Sequence, residues 1–106
     1  MKFVIGKIKN VDPYDSSGKT PLHIACANSN LKTAQILIQH GANVNALTKN
    51  GDTPIMILAA QENTQLKLIK LLLDFNAKRD VENKDKMRAV DLARVSNSKA
   101  DIIHLL

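Results

Sequence analysis

The sequence predicts an all-α fold, a solenoid of stacked helix-turn-helix pairs joined by hairpin-like turns. Three observations predict it. Thr20-Pro21-Leu22-His23-Ile24-Ala25 recurs in degraded form as Thr53-Pro54-Ile55-Met56-Ile57-Leu58, 33 residues later. A fixed period of that size marks repeated supersecondary units rather than one closed core. Each copy is followed by a second segment with apolar residues at helical spacing. Aromatic side chains are limited to Phe3, Tyr14 and Phe75, so the core must be aliphatic, which suits closely packed helices.

The elements follow in order. Asn10-Val11-Asp12-Pro13 aligns with Asn43-Val44-Asn45-Ala46, and Phe3-Val4-Ile5 with Ile36-Leu37-Ile38, at the same offset of 33. Residues 1–14 therefore read as the tail of a partial N-terminal repeat. The first full repeat covers residues 15–47. Gly18 marks a turn, Thr20 is a good N-cap, and Pro21 suits the first helical position, where its missing N–H is not needed. A short helix runs to about residue 27. Asn28-Ser29-Asn30 is a tight turn. A second helix from Leu31 to about His40 carries Leu31, Ala34, Leu37 and Ile38 as one apolar stripe, and Gly41 ends it in the left-handed conformation.

The second repeat, residues 48–82, has the same plan: Asn50-Gly51 as turn, Thr53-Pro54 as helix start to about residue 60, and Leu66, Ile69, Leu72 and Leu73 as stripe. Asn76 takes the place of the helix-ending glycine. Leu31 and Leu66 are 35 residues apart, so two residues are inserted in the interhelical loop around Gln61-Glu62-Asn63-Thr64-Gln65. The third repeat, residues 83–106, is degenerate. Arg88-Ala89-Val90-Asp91-Leu92-Ala93 lacks the threonine and proline, and Lys86 replaces the turn glycine, so a remodelled turn is expected. Val95-Ser96-Asn97-Ser98-Lys99 reads as the interhelical turn, and a last helix begins near Asp101. The whole chain, residues 1–106, is one repeat domain.

The string Thr-Pro-Leu-His-x-Ala at this period is the signature of the ankyrin repeat, and the chain resembles that family. The resemblance implies a non-enzymatic protein–protein interaction module, a scaffold that binds through turn tips and exposed first-helix faces. The family's variable contact positions, carried over residue by residue, fall on Ser16, Ser17, Lys19, Ala27, Asn28 and Leu47 in the first repeat. In the second they fall on Lys49, Asn50, Asp52, Ala60, Gln61 and Glu82. In the degenerate repeat Lys84, Asp85, Met87 and Val95 align. The resemblance also makes His23 a structural hydrogen-bonding residue partnered by the motif threonine. It raises Asn45, eight residues after Leu37, as a hydroxylation candidate; the plainer reading has Asn45 bonding the backbone of the next turn.

Other chemistry is poorly supported. His23 and Cys26 share a helix face, but no second pair has metal-ligand spacing, and no cofactor is implied. Ser16-Ser17-Gly18-Lys19-Thr20 is similar to the end of a phosphate loop, yet lacks the upstream glycine and the preceding strand. No nucleophile elbow or metalloprotease motif is present. No apolar run reaches the length of a membrane span. The formal charge is +5, but acidic residues are interleaved with the basic ones, so a nucleic-acid partner is disfavoured. A single cysteine fits a reducing compartment, cytoplasmic or nuclear.

The expected partner is another protein. Ending on Leu105-Leu106 leaves three readings open: a piece of a longer array, which is preferred, an intact small protein, or self-association through exposed terminal repeats. A standard interface needs about 800 Å² per partner, which two and a half repeats barely supply, so an affinity on the order of micromolar is expected. Two alternatives stand beside this reading. One is a target-recruiting segment of a larger enzyme; the other is a basic adaptor for nucleic acid or an acidic membrane surface.

Overall fold

Helices begin in this chain where the sequence supplies a cap. In the computed structural model, which describes residues 12–62, 64–96 and 100–106, the Thr20 hydroxyl accepts from the His23 N–H ahead of α1 (Pro21–Ala27). The Thr53 hydroxyl does the same for Met56 ahead of α3 (Pro54–Ala59). Asn30, read above only as a turn residue, caps α2 (Leu31–Gln39) through its side chain. α4 (Leu66–Asp74) has no side-chain cap. α5 (Ala89–Val95) and α6 (Ala100–Leu105) complete the described elements, and no strand occurs among the described residues. The fold is all-α, as expected.

The helices pack as three pairs, α1 with α2, α3 with α4 and α5 with α6; α3 also lies between α1 and α5, and α4 packs on α2. The first helices carry small residues, Ala25, Cys26, Ala59 and Ala93, all of them buried. Larger aliphatics fill the remaining space: Leu22, Ile55, Leu58, Leu68, Ile69 and Leu72 are fully buried. The expected stripes face inward, with Ala34, Leu37 and Ile38 buried on α2 and Ile69 and Leu72 on α4. Gly41 (φ 92°) and Asn76 (φ 68°) both end their helices in the left-handed region.

The third turn corrects an expectation. Lys86 was expected to force a different turn; instead it adopts φ 61°, matching Gly18 at 81° and Gly51 at 82°. All three turns use one hydrogen-bond plan. A polar side chain at the turn's start accepts backbone N–H groups: Asp15 Oδ1 from Ser17 and Lys19 (2.9 Å each), Thr48 Oγ1 from Asp52 (3.1 Å), and Asn83 Oδ1 from Asp85 (2.9 Å) and Met87 (3.1 Å). Asn83 thus holds the turn, as asparagine does in an Asx-turn, and lysine bears the conformational strain. Space explains why lysine fits there. A Cβ on Gly18 would lie 2.8 Å from the Lys49 nitrogen, and one on Gly51 3.3 Å from Asn83 Cα; each glycine receives the next turn. No described turn packs on Lys86 in that way.

Lys86→Gly should therefore raise the unfolding free energy by about 0.5–1 kcal/mol by relieving left-handed strain. Urea denaturation at neutral pH would show it as a higher midpoint at unchanged slope. An unmoved midpoint would mean that the left-handed conformation costs nothing here. The start of α5 is the other weak point. Arginine has no acceptor to offer, so only half a capping box forms, the Arg88 N–H donating to Asp91 Oδ2 at 3.0 Å.

Candidate protein-binding surface

The three turns project as fingers and are tied edge to edge. The Lys49 N–H donates to the Ser17 carbonyl (3.0 Å) and the Lys84 N–H to the Asn50 carbonyl (2.9 Å). Bonded in this way, the fingers hold their tips at fixed spacing before any partner arrives. The first and second repeats are also joined through His23. The Thr20 N–H donates to its Nδ1 at 3.1 Å, which places the proton on Nε2, and Nε2–H donates to the Asp52 carbonyl at 2.9 Å. With both nitrogens engaged inside the core, His23 is structural, as the resemblance implied. In the second repeat Met56 fills the same register position and is 2% exposed.

Burial lowers the pKa of His23 below the ordinary histidine value, and the carbonyls of Asp52 and Ala46 oppose this only in part. As pH falls, the unfolded chain therefore takes up the proton first. Neutral His23 contributes its full stability above an unfolded-state pKa of about 6.5 and loses it as pH drops from there toward the lowered folded value. The carboxylate of Asp15, depressed by the Ser17 hydroxyl and Lys19 N–H, and that of Asp91, depressed by the Arg88 N–H, act only in a more acidic window. Unfolding free energy measured by urea at pH 7.5 and 5.5 should fall in the native chain and fall less in His23→Gln. Equal losses would remove His23 as the cause.

At the far ends of the first helices another tie repeats. Gln61 Nε2 donates to the carbonyls of Cys26 (2.9 Å) and Ala27 (3.2 Å), and its Oε1 accepts from the Ser29 hydroxyl (3.0 Å). Ser96, in the same register position, donates its hydroxyl to the Ala59 carbonyl at 2.9 Å. The inserted loop adds Gln65 Nε2 to the Ser29 carbonyl (3.1 Å). Behind the fingers, Asn45 Oδ1 accepts from the Lys78 N–H (2.8 Å) and its Nδ2 donates to the Asn76 carbonyl (3.3 Å). Asp12 similarly accepts from the Asn43 N–H at 3.2 Å. The Asn45 amide is thus used between repeats, as the plainer reading had it. Phe3-Val4-Ile5, Asn10, Val11, Asn63 and residues 97–99 lie outside the described residues.

Between finger tips and helix ends lie the contact positions expected from the sequence. Ser16, Ser17, Lys19, Lys49 and Asn50 are exposed on the fingers; Ala27, Asn28 and Ala60 are exposed where α1 and α3 end; Leu47 and Glu82 are exposed on the connections into the fingers. Asp52 and Gln61 are half-buried and already bonded within the protein. Three recesses divide several of these residues. Asn50, Asp52, Ala60 and Gln61 line one between the second and third repeats. Leu47 and Lys49 line another with Tyr14. Asn28 borders a third, beside Gln65 and Lys67. Ser16, Ser17, Lys19 and Glu82 line none of these three.

Sequence reasoning missed an apolar series on this surface. Ile24, Ile57 and Leu92 occupy one register position, 33 and 35 residues apart. Ile24 is 45% exposed, and Ile57 and Leu92 are half-buried in the recess between repeats two and three. Val95, in register with Ala27 and Ala60, is 76% exposed. Their shared offset was the available signal. Beneath them Cys26 is fully buried, and desolvation pushes its thiol pKa up to about 12. No group of three or more His, Cys, Asp or Glu side chains gathers among the described residues, and no described helix is long and apolar enough to cross a membrane.

Comparison with known proteins accords with this architecture. A family profile described as ankyrin repeats (many copies) matches residues 22–73. The mouse (Mus musculus) ankyrin repeat and SOCS box protein 5 is 38% identical over 81% of this chain and 25% of its own length. Ankyrin repeat protein OPG189 of Monkeypox virus is 33% identical over 74% of the chain and 14% of its own length. The NAD-dependent deacetylase sir2B of Dictyostelium discoideum is 34% identical over 70% of the chain and 11% of its own length. The chain therefore spans a quarter or less of each of these relatives.

Proposed function

This chain belongs to the ankyrin-repeat family, whose repeats are generally protein-interaction modules, and from that premise we propose that it is non-enzymatic and binds a partner protein through its finger tips and first-helix faces. The observation that carries the reading is the bonded row of fingers beside an exposed apolar series. A rigid edge gives up little ordering entropy on docking, and Ile24, Ala60 and Val95 offer apolar area left exposed among the described residues. We further propose that the module works within a longer array or a larger protein in the cytosol or nucleus. Its matches to segments of much longer relatives support the first part, and its single buried thiol supports the second. Recruitment of a target to a catalytic domain is the variant of this reading favoured by the deacetylase relative.

Affinity capture from a cell lysate with crosslinking and mass spectrometry tests the proposal. Ile24→Glu with Ala60→Glu should abolish the proteins captured by the native chain without altering its melting temperature. Lys32→Glu with Lys70→Glu, on α2 and α4, should leave them. Equal capture by both variants would sink the binding face. Capture that disappears with nuclease, or falls steeply with salt, would favour the basic adaptor instead.

A further inference from the structure

The recess between the second and third repeats has a floor and a rim of different chemistry. Met56 and Ile57 of α3, Ala60 just past its end and Leu92 of α5 make the floor apolar. The rim carries two carboxylates, Asp52 and Asp85, and no lysine or arginine lines the recess. Its volume is about 370 Å³, near the lower bound for ligand cavities, so it suits one long side chain. This acidic rim stands out in a chain of formal charge +5.

Neither carboxylate forms an ion pair among the described residues. The ion pair found among the described residues is Arg88 Nε–Asp91 Oδ2 at 3.5 Å. Asp52 accepts one side-chain amide on each oxygen, from Asn83 (2.9 Å) and Asn50 (3.2 Å). An ionised carboxylate has about four acceptor sites, so capacity remains. Asp85 is exposed beside it.

We propose that this recess receives an arginine side chain of the partner protein, its methylene stem on Ile57 and Leu92 and its guanidinium on Asp52 and Asp85. The inference rests on the protein-binding reading above and adds the chemistry of its anchor. Long cationic side chains bury the stem and keep the head at a polar rim. A purely aliphatic anchor would cover the floor but desolvate two carboxylates with nothing in return. An acidic anchor would meet like charge. Arginine suits the site better than lysine because its five donors can serve both carboxylates at once, and it is the more weakly hydrated cation.

A random peptide library displayed on phage and selected on the whole chain supplies the probe. Enriched sequences should share an arginine next to an apolar residue. As synthetic peptides followed by fluorescence anisotropy, they should bind at least about tenfold more weakly to Asp85→Lys. Replacing the arginine by citrulline, its neutral isostere, should cost as much, and combining both changes should cost little more than either. An unshifted melting temperature for Asp85→Lys separates lost binding from lost fold.

Enriched peptides without arginine, peptides that prefer lysine, or indifference to Asp85→Lys would each overturn the inference. If such peptides are still released by Ile24→Glu with Ala60→Glu, the binding face stands and only the anchor is wrong. If they are not, the face falls too. Failure to enrich any peptide overturns the anchor and leaves the face to the lysate comparison.

Discussion

Leu58→Ala will lower the unfolding free energy by about 3 kcal/mol or more, the range for a fully buried leucine whose surroundings cannot collapse into the space left. Leu58 is 0% exposed, on the helix that packs against both α1 and α5. The same register position holds Ala25 and Ala93 in the adjoining repeats, both small. Neither can grow to fill a void. A domain of this size has about 5–15 kcal/mol in total, so the change removes a large share. In a stacked array it should also weaken coupling between repeats. Urea unfolding would then show a lower midpoint and a shallower slope, the latter because the halves no longer melt together. A loss below about 1 kcal/mol would mean that α3 is not tightly held between its neighbours.

Gly18→Ala will cost about 2–4 kcal/mol, combining left-handed strain with damage to the contact between the fingers. The added methyl would stand 2.8 Å from the Lys49 backbone nitrogen and 3.2 Å from Thr48 Cα. Backbone cannot swing aside as a side-chain end can, so the second finger must move away. That movement stretches the Lys49 N–H bond to the Ser17 carbonyl, now 3.0 Å. Gly41→Ala is the control. Gly41 has φ 92° but nothing within 4 Å of its virtual Cβ, so only conformational strain remains, about 1–2 kcal/mol. Thermal unfolding of both variants, with the Lys49 amide followed by NMR, checks the contrast. Equal costs and an unshifted Lys49 amide would show that the fingers are not in contact.

The sequence made much of this fold readable because its signals are local. Threonine caps, prolines at first helical positions and left-handed residues at positions 18, 41, 51 and 76 depend on side-chain type and a few neighbours. Lys86 was misjudged for the converse reason. Glycine is required at Gly18 and Gly51 by a following turn, a partner about one repeat away, and the third turn has no described equivalent. Asn83 could have signalled the retained turn, standing in register with Asp15 and Thr48 as a side-chain acceptor. Gln61 was readable as part of an insertion, but the reach of its amide back to α1 depends on how the loop folds.

The binding face was half legible. The finger positions follow from the repeat register, whereas Ile57 and Leu92 do not. The first helices are short and apolar on most sides; α3 reads Pro-Ile-Met-Ile-Leu-Ala. In such a run periodicity cannot tell which isoleucine enters the core and which remains at the surface. Ile55 is fully buried and Ile57 half-buried, a difference set by the neighbouring helices rather than by the residue.

Cys26 gives the chain an intrinsic clock. The thiolate is the form that attacks an alkylating reagent, and here burial both raises the thiol pKa and keeps the reagent out. Alkylation in native buffer must therefore wait until the packing around α1 opens. With reagent in excess, the rate of mass increase by a single adduct reports how often that packing opens, and no substitution has to be introduced to measure it.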